Sequence, residues 1–300
     1  MSSSAGRTYP RRIGKATRSW AVLLVALAGC DLVFRTDATH QPPDADAAPD
    51  AGEVDAPAPV AGTPFGDIRP VVSVNTPGEE DGPSLTADQL EMYFHRANDI
   101  YVTRRDAIDT PWSAPTRVPA VSTATADIHA CVTGDGLTLY FTRSTNLFVA
   151  TRGSRAEAWS AGTALPNEIN ATGTERCGYA SDDRLELYFD TNVNAGGERD
   201  IVHAKRLTTS QAWATGGDPL DDPDADDSAP WRDEAGTTYV FATRRGGTPY
   251  RLVEYVVEQG TFIEHPELGE VGTPWLSPDG RTLYFSRLNG PQTDLFVARR

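Results

Sequence analysis

One nine-residue pattern recurs five times in register, and it constrains the fold more than any other feature of the chain. It reads TADQLEMYF ending at Phe94, TGDGLTLYF at Phe141, SDDRLELYF at Phe189, DEAGTTYVF at Phe241 and SPDGRTLYF at Phe285. The phenylalanines lie 47, 48, 52 and 44 residues apart, too far for one hairpin and right for a unit of several strands. Six residues before the anchor stand Asp88, Asp135, Asp183 and Asp279, with Ala235 the exception, where a tight turn between strands is expected. A further strand follows each run: DIYVTRR from Asp99, NLFVATR from Asn146, DIVHAKR from Asp200, RLVEYVV from Arg251 and DLFVARR from Asp294. Phe65, Trp112, Trp159, Trp213 and Phe262 each open another, so every unit supplies four strands. The anchor runs are apolar almost without interruption, as expected of strands covered on both faces.

These units predict an all-β chain, a five-bladed β-propeller of four-stranded blades. The pattern ends at Arg300 after the third strand of the fifth unit, while a lone strand segment, residues 65–74, precedes the first. Pairing that segment into the last blade closes the ring and removes an exposed edge. The repeat resembles the TolB-type, WD40-like propeller repeat: a small residue or proline, Ser-x-Asp-Gly, an apolar run, a polar turn and Asp-Ile-Tyr. The resemblance spans residues 65–300. Unit four departs from it, with Asp233-Glu234-Ala235 at the turn and no aspartate before RLVEYVV, so a distorted turn is expected there.

Residues 1–19 carry five bases and no acid, and the short apolar run WAVLLVALAG follows them. At ten residues the run is far below the roughly 20 needed to span a bilayer, and it reads as a signal peptide. It ends in Leu27-Ala28-Gly29-Cys30, which resembles the lipobox of bacterial lipoproteins. The resemblance implies that residues 1–29 are removed and that Cys30 carries the lipid anchor, placing the protein in the bacterial cell envelope. Residues 30–64, rich in Ala, Pro and Asp, are expected to form a disordered tether, because they offer too little apolar surface to offset ordering entropy. Asp31 resembles an inner-membrane retention signal of enteric bacteria, a rule that does not transfer between groups, so inner versus outer membrane stays open.

Loss of the leader leaves 22 bases against 42 acids, a surface that repels phosphate backbones and argues against nucleic-acid partners. The loops entering the innermost strands are expected to gather Glu79, Glu80, Asp81, Asp127, His129, Glu175, Asp224, Asp226, Asp227 and Glu270 around one mouth of the channel. Such a rim suits a basic peptide segment or a divalent cation, or is simply a solvated acidic surface. Asp222, Asp224 and Asp226 have calcium-loop spacing, but Asp227 and Asp233 stand where that loop needs glycine and glutamate. No metal site and no cofactor is therefore expected, calcium being the one ion considered. Catalytic residues are not assigned either: no nucleophile elbow or His-Glu-x-x-His motif is present. Cys131 and Cys177 lie ten and twelve residues before their anchors, and equal parity makes a disulfide between adjacent blades an expectation.

The chain thus reads as a lipid-anchored, monomeric envelope propeller that binds a protein or peptide without catalysis, as the TolB-type resemblance implies. The alternative is a carbohydrate-binding or glycoside-hydrolase-like propeller using channel carboxylates such as Asp81, Glu175 and Asp227, which would need a separation of about 5–9.5 Å.

Overall fold

The computed structural model describes residues 59–300 apart from 172, 193–197, 218–219, 221–224, 234–235 and 245–248. The expected leader, Cys30, most of the tether, the blade-four turn at 234–235 and the pair Asp222 and Asp224 lie outside the described residues. Strand β1 (Gly66–Pro70) belongs to the last blade. Blade 1 is β2 (Glu80–Leu85), β3 (Glu91–Arg96), β4 (Asp99–Arg104) and β5 (Thr116–Arg117). Blade 2 is β6 (Asp127–Val132), β7 (Thr138–Arg143), β8 (Asn146–Thr151) and β9 (Thr163–Ala164). Blade 3 is β10 (Arg176–Ala180), β11 (Glu186–Thr191), β12 (Asp200–Lys205) and β13 (Ala214–Gly217). Blade 4 is β14 (Asp227–Arg232), β15 (Thr238–Thr243), β16 (Arg251–Val256) and β17 (Thr261–Glu264). Blade 5 is β18 (Trp275–Leu276), β19 (Thr282–Asn289) and β20 (Gln292–Arg299), completed by β1.

The five-bladed, all-β architecture expected from the repeat is the one observed, including its closure. β1 pairs antiparallel with β20, Gly66 opposite Arg299 and Pro70 opposite Phe296. The anchors Phe94, Phe141, Phe189, Phe241 and Phe285 are buried on the second strand of each blade. The repeat aspartates are turn formers. Asp88 accepts from Thr86 Oγ1 (2.6 Å) and Leu90 N (3.0 Å), and Asp135, Asp183 and Asp279 do the same in their turns. In blade 4 Asp233 replaces the hydroxyl residue and takes both jobs, accepting from Thr237 N (2.7 Å) and Thr238 N (3.1 Å).

A second repeat ties the outer strands of each blade to its turn. Arg105, Arg152, Arg206 and Arg300 end the third strands, and each Nε donates to a turn carbonyl, of Gln89, Gly136, Arg184 and Gly280 respectively. Their guanidinium groups lie 4.2, 4.4, 4.1 and 4.5 Å over the rings of Trp112, Trp159, Trp213 and Phe65. Stacking of this kind contributes roughly 0.5–2 kcal/mol per site. Blade 4 has Val257 in the arginine's place, and its aromatic residue, Phe262, is exposed.

At the seam between blades 4 and 5, packed structure reaches back beyond Phe65. Gly62 N donates to Glu254 Oε2 (2.5 Å) and Phe65 N to Glu267 Oε1 (3.0 Å). Arg300 pairs with the fully buried Glu254 at 2.8 Å, and His265 lies 3.2 Å from Glu254 and 2.8 Å from Glu267.

The expected cysteine bridge is not made: Cys131 is a free, buried thiol in the cluster shared by blades 2 and 3. Equal spacing from the anchors did not mean equal register. Cys131 sits past the bulge of β6, opposite Tyr140, whereas Cys177 sits before the bulge of β10, opposite Phe189.

Candidate functional site at the channel mouth

The innermost strands of blades 1 to 4 each carry a β-bulge near their start, at Asp81/Ser84, Ile128/Cys131, Cys177/Tyr179 and Ser228/Trp231. Such a bulge re-aims the side chains around it. Gly82 (φ 69°), His129 (φ 48°) and Ala229 (φ 51°) hold the left-handed conformation it requires. Backbone from several blades consequently crowds the axis: a Cβ on Gly178 would lie 2.6 Å from Pro230 Cδ. Small cavities lie here, of about 20 Å³ beside Gly82 and His129 and 40 Å³ beside Ser84 and Gly178.

The acids predicted to ring the mouth are largely turned inward. Glu80 and Asp127 are fully buried and held by Arg96 Nε and Arg143 Nε, both at 2.6 Å. Each also ties its own loop, Glu80 accepting from Thr76 N (3.0 Å) and Asp127 from Thr123 N (2.6 Å). Asp226 accepts from Arg199 N (3.1 Å), Tyr250 OH (2.8 Å) and Arg244 Nη1 (3.2 Å). Burial and the Asp226 carboxylate push the Tyr250 phenol up to about 12. Asp227 and Glu175 are buried, and burial raises the Glu175 carboxyl although Thr191 Oγ1 donates to it at 3.4 Å.

Asp81 and His129 meet in a cluster that sequence reasoning saw only in part. Asp81 accepts from Thr273 Oγ1 (2.7 Å), and Thr273 in turn contacts Ser286 Oγ (3.0 Å). Burial opposes ionisation of Asp81, but His95, His129 and the two hydroxyls outweigh it and hold the carboxyl below its ordinary value. The rings of His95 and His129 pack edge to face at 5.0 Å. Burial lowers both imidazoles; His95 and Arg176 lower His129 further. Next to them Asp190 is buried against Arg199 and accepts from Ala229 N (2.9 Å), and burial raises its carboxyl despite that arginine. Two buried polar atoms in this cluster have no hydrogen-bond partner among the described residues, His129 Nδ1 and Arg176 Nε.

His95, Asp190 and Ser286 were missed, yet a signal existed. They are the residues directly after the anchor phenylalanines, as are Thr142 and Ala242, and all five are buried toward this mouth. Among the described residues no group of three or more His, Cys, Asp or Glu side chains is placed to hold a metal ion.

No family model matches the sequence, and no curated protein matches it. Solved structures do. The putative TolB from Agrobacterium tumefaciens aligns with a TM-score of 0.50 at 12% identity, covering 77% of this chain and 82% of that one. The fold is that of a TolB-type β-propeller. TolB from Acinetobacter baumannii aligns at 0.48 with 12% identity, over 76% of this chain and 55% of its own. The α-L-arabinofuranosidase PaAbf62A from Podospora anserina, in complex with cellotriose, aligns at 0.50 with 8% identity, over 74% of this chain and 90% of its own. At such identities the TolB-type likeness establishes the fold alone.

Proposed function

We propose that this TolB-type propeller is a non-catalytic module that binds a protein or peptide partner at the channel mouth, held in the bacterial cell envelope by a lipid on Cys30. The observation that supports this reading is the condition of the mouth: Glu80 and Asp127 are committed to internal ion pairs, the space beside Gly82 and His129 is about 20 Å³, and among the described residues His129 Nδ1 and Arg176 Nε have no hydrogen-bond partner. A buried polar atom without a partner costs about 1–3 kcal/mol, which a bound group completing the bond would recover. Arg176 Nε can only donate, so the group that completes it is an acceptor, a backbone carbonyl or carboxylate, whereas His129 Nδ1 donates or accepts according to its tautomer.

The carbohydrate reading is weaker. Small-molecule sites occupy about 300–1,000 Å³, and the space beside Gly82 and His129 is about 20 Å³. The test is crosslinking of the lipidated protein in its native envelope, comparing the parent with His129→Ala/Arg176→Ala. A partner recovered with the parent and lost with the variant supports the assignment. Equal recovery removes the mouth as the binding surface, and release of the Cys30→Ala protein into the soluble fraction tests the anchor.

A further inference from the structure

A sizeable cavity lies away from the channel. It is an 820 Å³ cleft lined by blade 3 and, from blade 4, Arg232, on the face that carries the aspartate turns. Its origin lies in the inter-blade arginines. Between blades 1 and 2 the equivalent position is filled. There Glu91, opposite Arg104 in the β3–β4 ladder, receives Arg152 Nη2 of the next blade at 2.6 Å. Arg155 Nη1 reaches the turn residue Asp88 at 2.5 Å, and Trp159 donates to Tyr93 OH at 3.3 Å.

Blade 3 presents the same receiving groups. Glu186 stands opposite Lys205 in the β11–β12 ladder, Asp183 is the turn aspartate, and Tyr188 precedes the anchor as Tyr93 does. The other three second strands begin their ladders with Thr138, Thr238 and Thr282, so blades 1 and 3 alone pair this glutamate with that turn and tyrosine. What blade 4 supplies differs: Val257 replaces the first arginine, Gly260 the second, and Phe262 turns onto Tyr255 of its own blade at 4.7 Å. Arg232 enters from the innermost strand and takes Oε2 of Glu186. Oε1 is left 4.0 Å from His203, whose imidazole burial lowers and which stacks on Tyr188 at 4.2 Å.

We infer that this cleft is a docking site for an arginine flanked by an aromatic residue on an extended segment of a partner protein. The partner side chains would take the places that Arg155 and Trp159 of blade 2 hold against blade 1, with the guanidinium on Glu186 and Asp183 and the ring against Tyr179, because Tyr188 is buried and its hydroxyl meets that of Tyr239 at 3.1 Å. An acid with one oxygen that meets no arginine or lysine among the described residues, beside an aromatic surface, selects arginine over lysine, because the guanidinium pairs and stacks at once. The cleft's volume lies in the range of small-ligand pockets. The site is on the opposite face from the channel mouth and does not depend on what the mouth binds.

The probe is a fluorescein-labelled peptide with the chain's own blade-2 sequence, Thr151 to Ser160 (TRGSRAEAWS), titrated against the full chain by fluorescence anisotropy. Saturable binding is expected, at least tenfold weaker when both peptide arginines are replaced by citrulline and at least tenfold weaker for Glu186→Gln. Val257→Arg, at an exposed position, restores the missing internal arginine and is expected to block the peptide while leaving the fold intact by circular dichroism. His129→Ala/Arg176→Ala is expected to bind the peptide as the parent does. Absence of saturation at millimolar protein, equal binding of the citrulline peptide, equal binding by Val257→Arg, or loss of binding in the His129/Arg176 variant would each overturn the assignment.

Discussion

Substitution of Arg300 by methionine probes whether the ring is locked by its last side chain or merely completed by β1. Arg300 and Glu254 have side chains 3% and 0% exposed, and they approach to 2.8 Å. Arg300 also donates to Gly280 O (2.7 Å) and Thr63 O (3.4 Å) and lies 4.5 Å over the Phe65 ring. Methionine keeps the apolar stem and removes the charge. Stranding a buried partner costs about 3–5 kcal/mol, and loss of the stack adds about 1 kcal/mol. His265, 3.2 Å from Glu254, stays as a partial counter-ion and moderates the loss to about 3 kcal/mol. For a domain of this size that corresponds to a fall in melting temperature of about 6–12 °C. The decisive comparison is a double-mutant cycle with Glu254→Gln, followed by urea unfolding at pH 7. Because the second change removes the stranded charge, Arg300→Met/Glu254→Gln is expected to be more stable than Arg300→Met by about 1–2 kcal/mol. If Arg300→Met costs less than about 1 kcal/mol, or the two changes simply add, the seam is not held by this pair.

Three further outcomes are expected. Gly178→Ala places a Cβ into the Pro230 backbone at the channel axis and is expected to lower stability by about 3 kcal/mol, measured by chemical denaturation. His265 is raised above its ordinary value: burial opposes protonation, but Glu254 and Glu267 outweigh it. Its contribution is therefore complete below about pH 6.5 and fades as pH rises through the folded-state value. His95, His129 and His203 are lowered and act in the opposite sense, so the readout is the stability difference between the parent and His265→Gln, which is expected to shrink from pH 6 to pH 9. Glu175 is raised by burial, so its ionised form costs stability at neutral pH, and Glu175→Gln is expected to be neutral or stabilising at pH 7 and to lose that advantage near pH 4; a clear destabilisation at pH 7 would show that Glu175 is held ionised by its surroundings.

The fold was legible because its determinant is local and repeated. An apolar run ending in phenylalanine specifies a buried second strand five times over, with a turn aspartate six residues before it in four of the five, and the period sets the unit. Ring closure by residues 65–74 was legible for the same reason, since one strand was missing at one end and spare at the other. The mouth was only half legible, because an acid's sequence position says nothing of the cation that meets it. Glu80 and Arg96 lie 16 residues apart, as do Asp127 and Arg143, and the pairs form only when antiparallel register brings them opposite each other. The bulges defeated parity as well: one extra residue per innermost strand placed Cys131 and Cys177 at different points of their ladders and aimed His129 at His95.

The weakness of the fourth unit in the sequence and the open cleft in the structure are related at the level of the repeat. Asp233 repairs the turn that Ala235 leaves incomplete, so the irregular turn costs blade 4 little of its local hydrogen bonding. The outer seam is repaired only in part: Arg232 takes one Glu186 oxygen and Tyr239 OH meets Tyr188 OH at 3.1 Å, while Val257 and Phe262 stand in for an arginine and a buried tryptophan. A repeat under selection for packing alone would be expected to lose the receiving glutamate along with its arginine, because an acid kept at a blade interface without a full partner weakens it. Blade 3 instead keeps Glu186, Asp183 and Tyr188 together, and Arg232 answers only one of the glutamate oxygens. If Val257→Arg raises the melting temperature by several degrees, stability was available at this seam from a single substitution. The open cleft would then be a feature kept at the expense of packing, as expected of a surface that another chain completes.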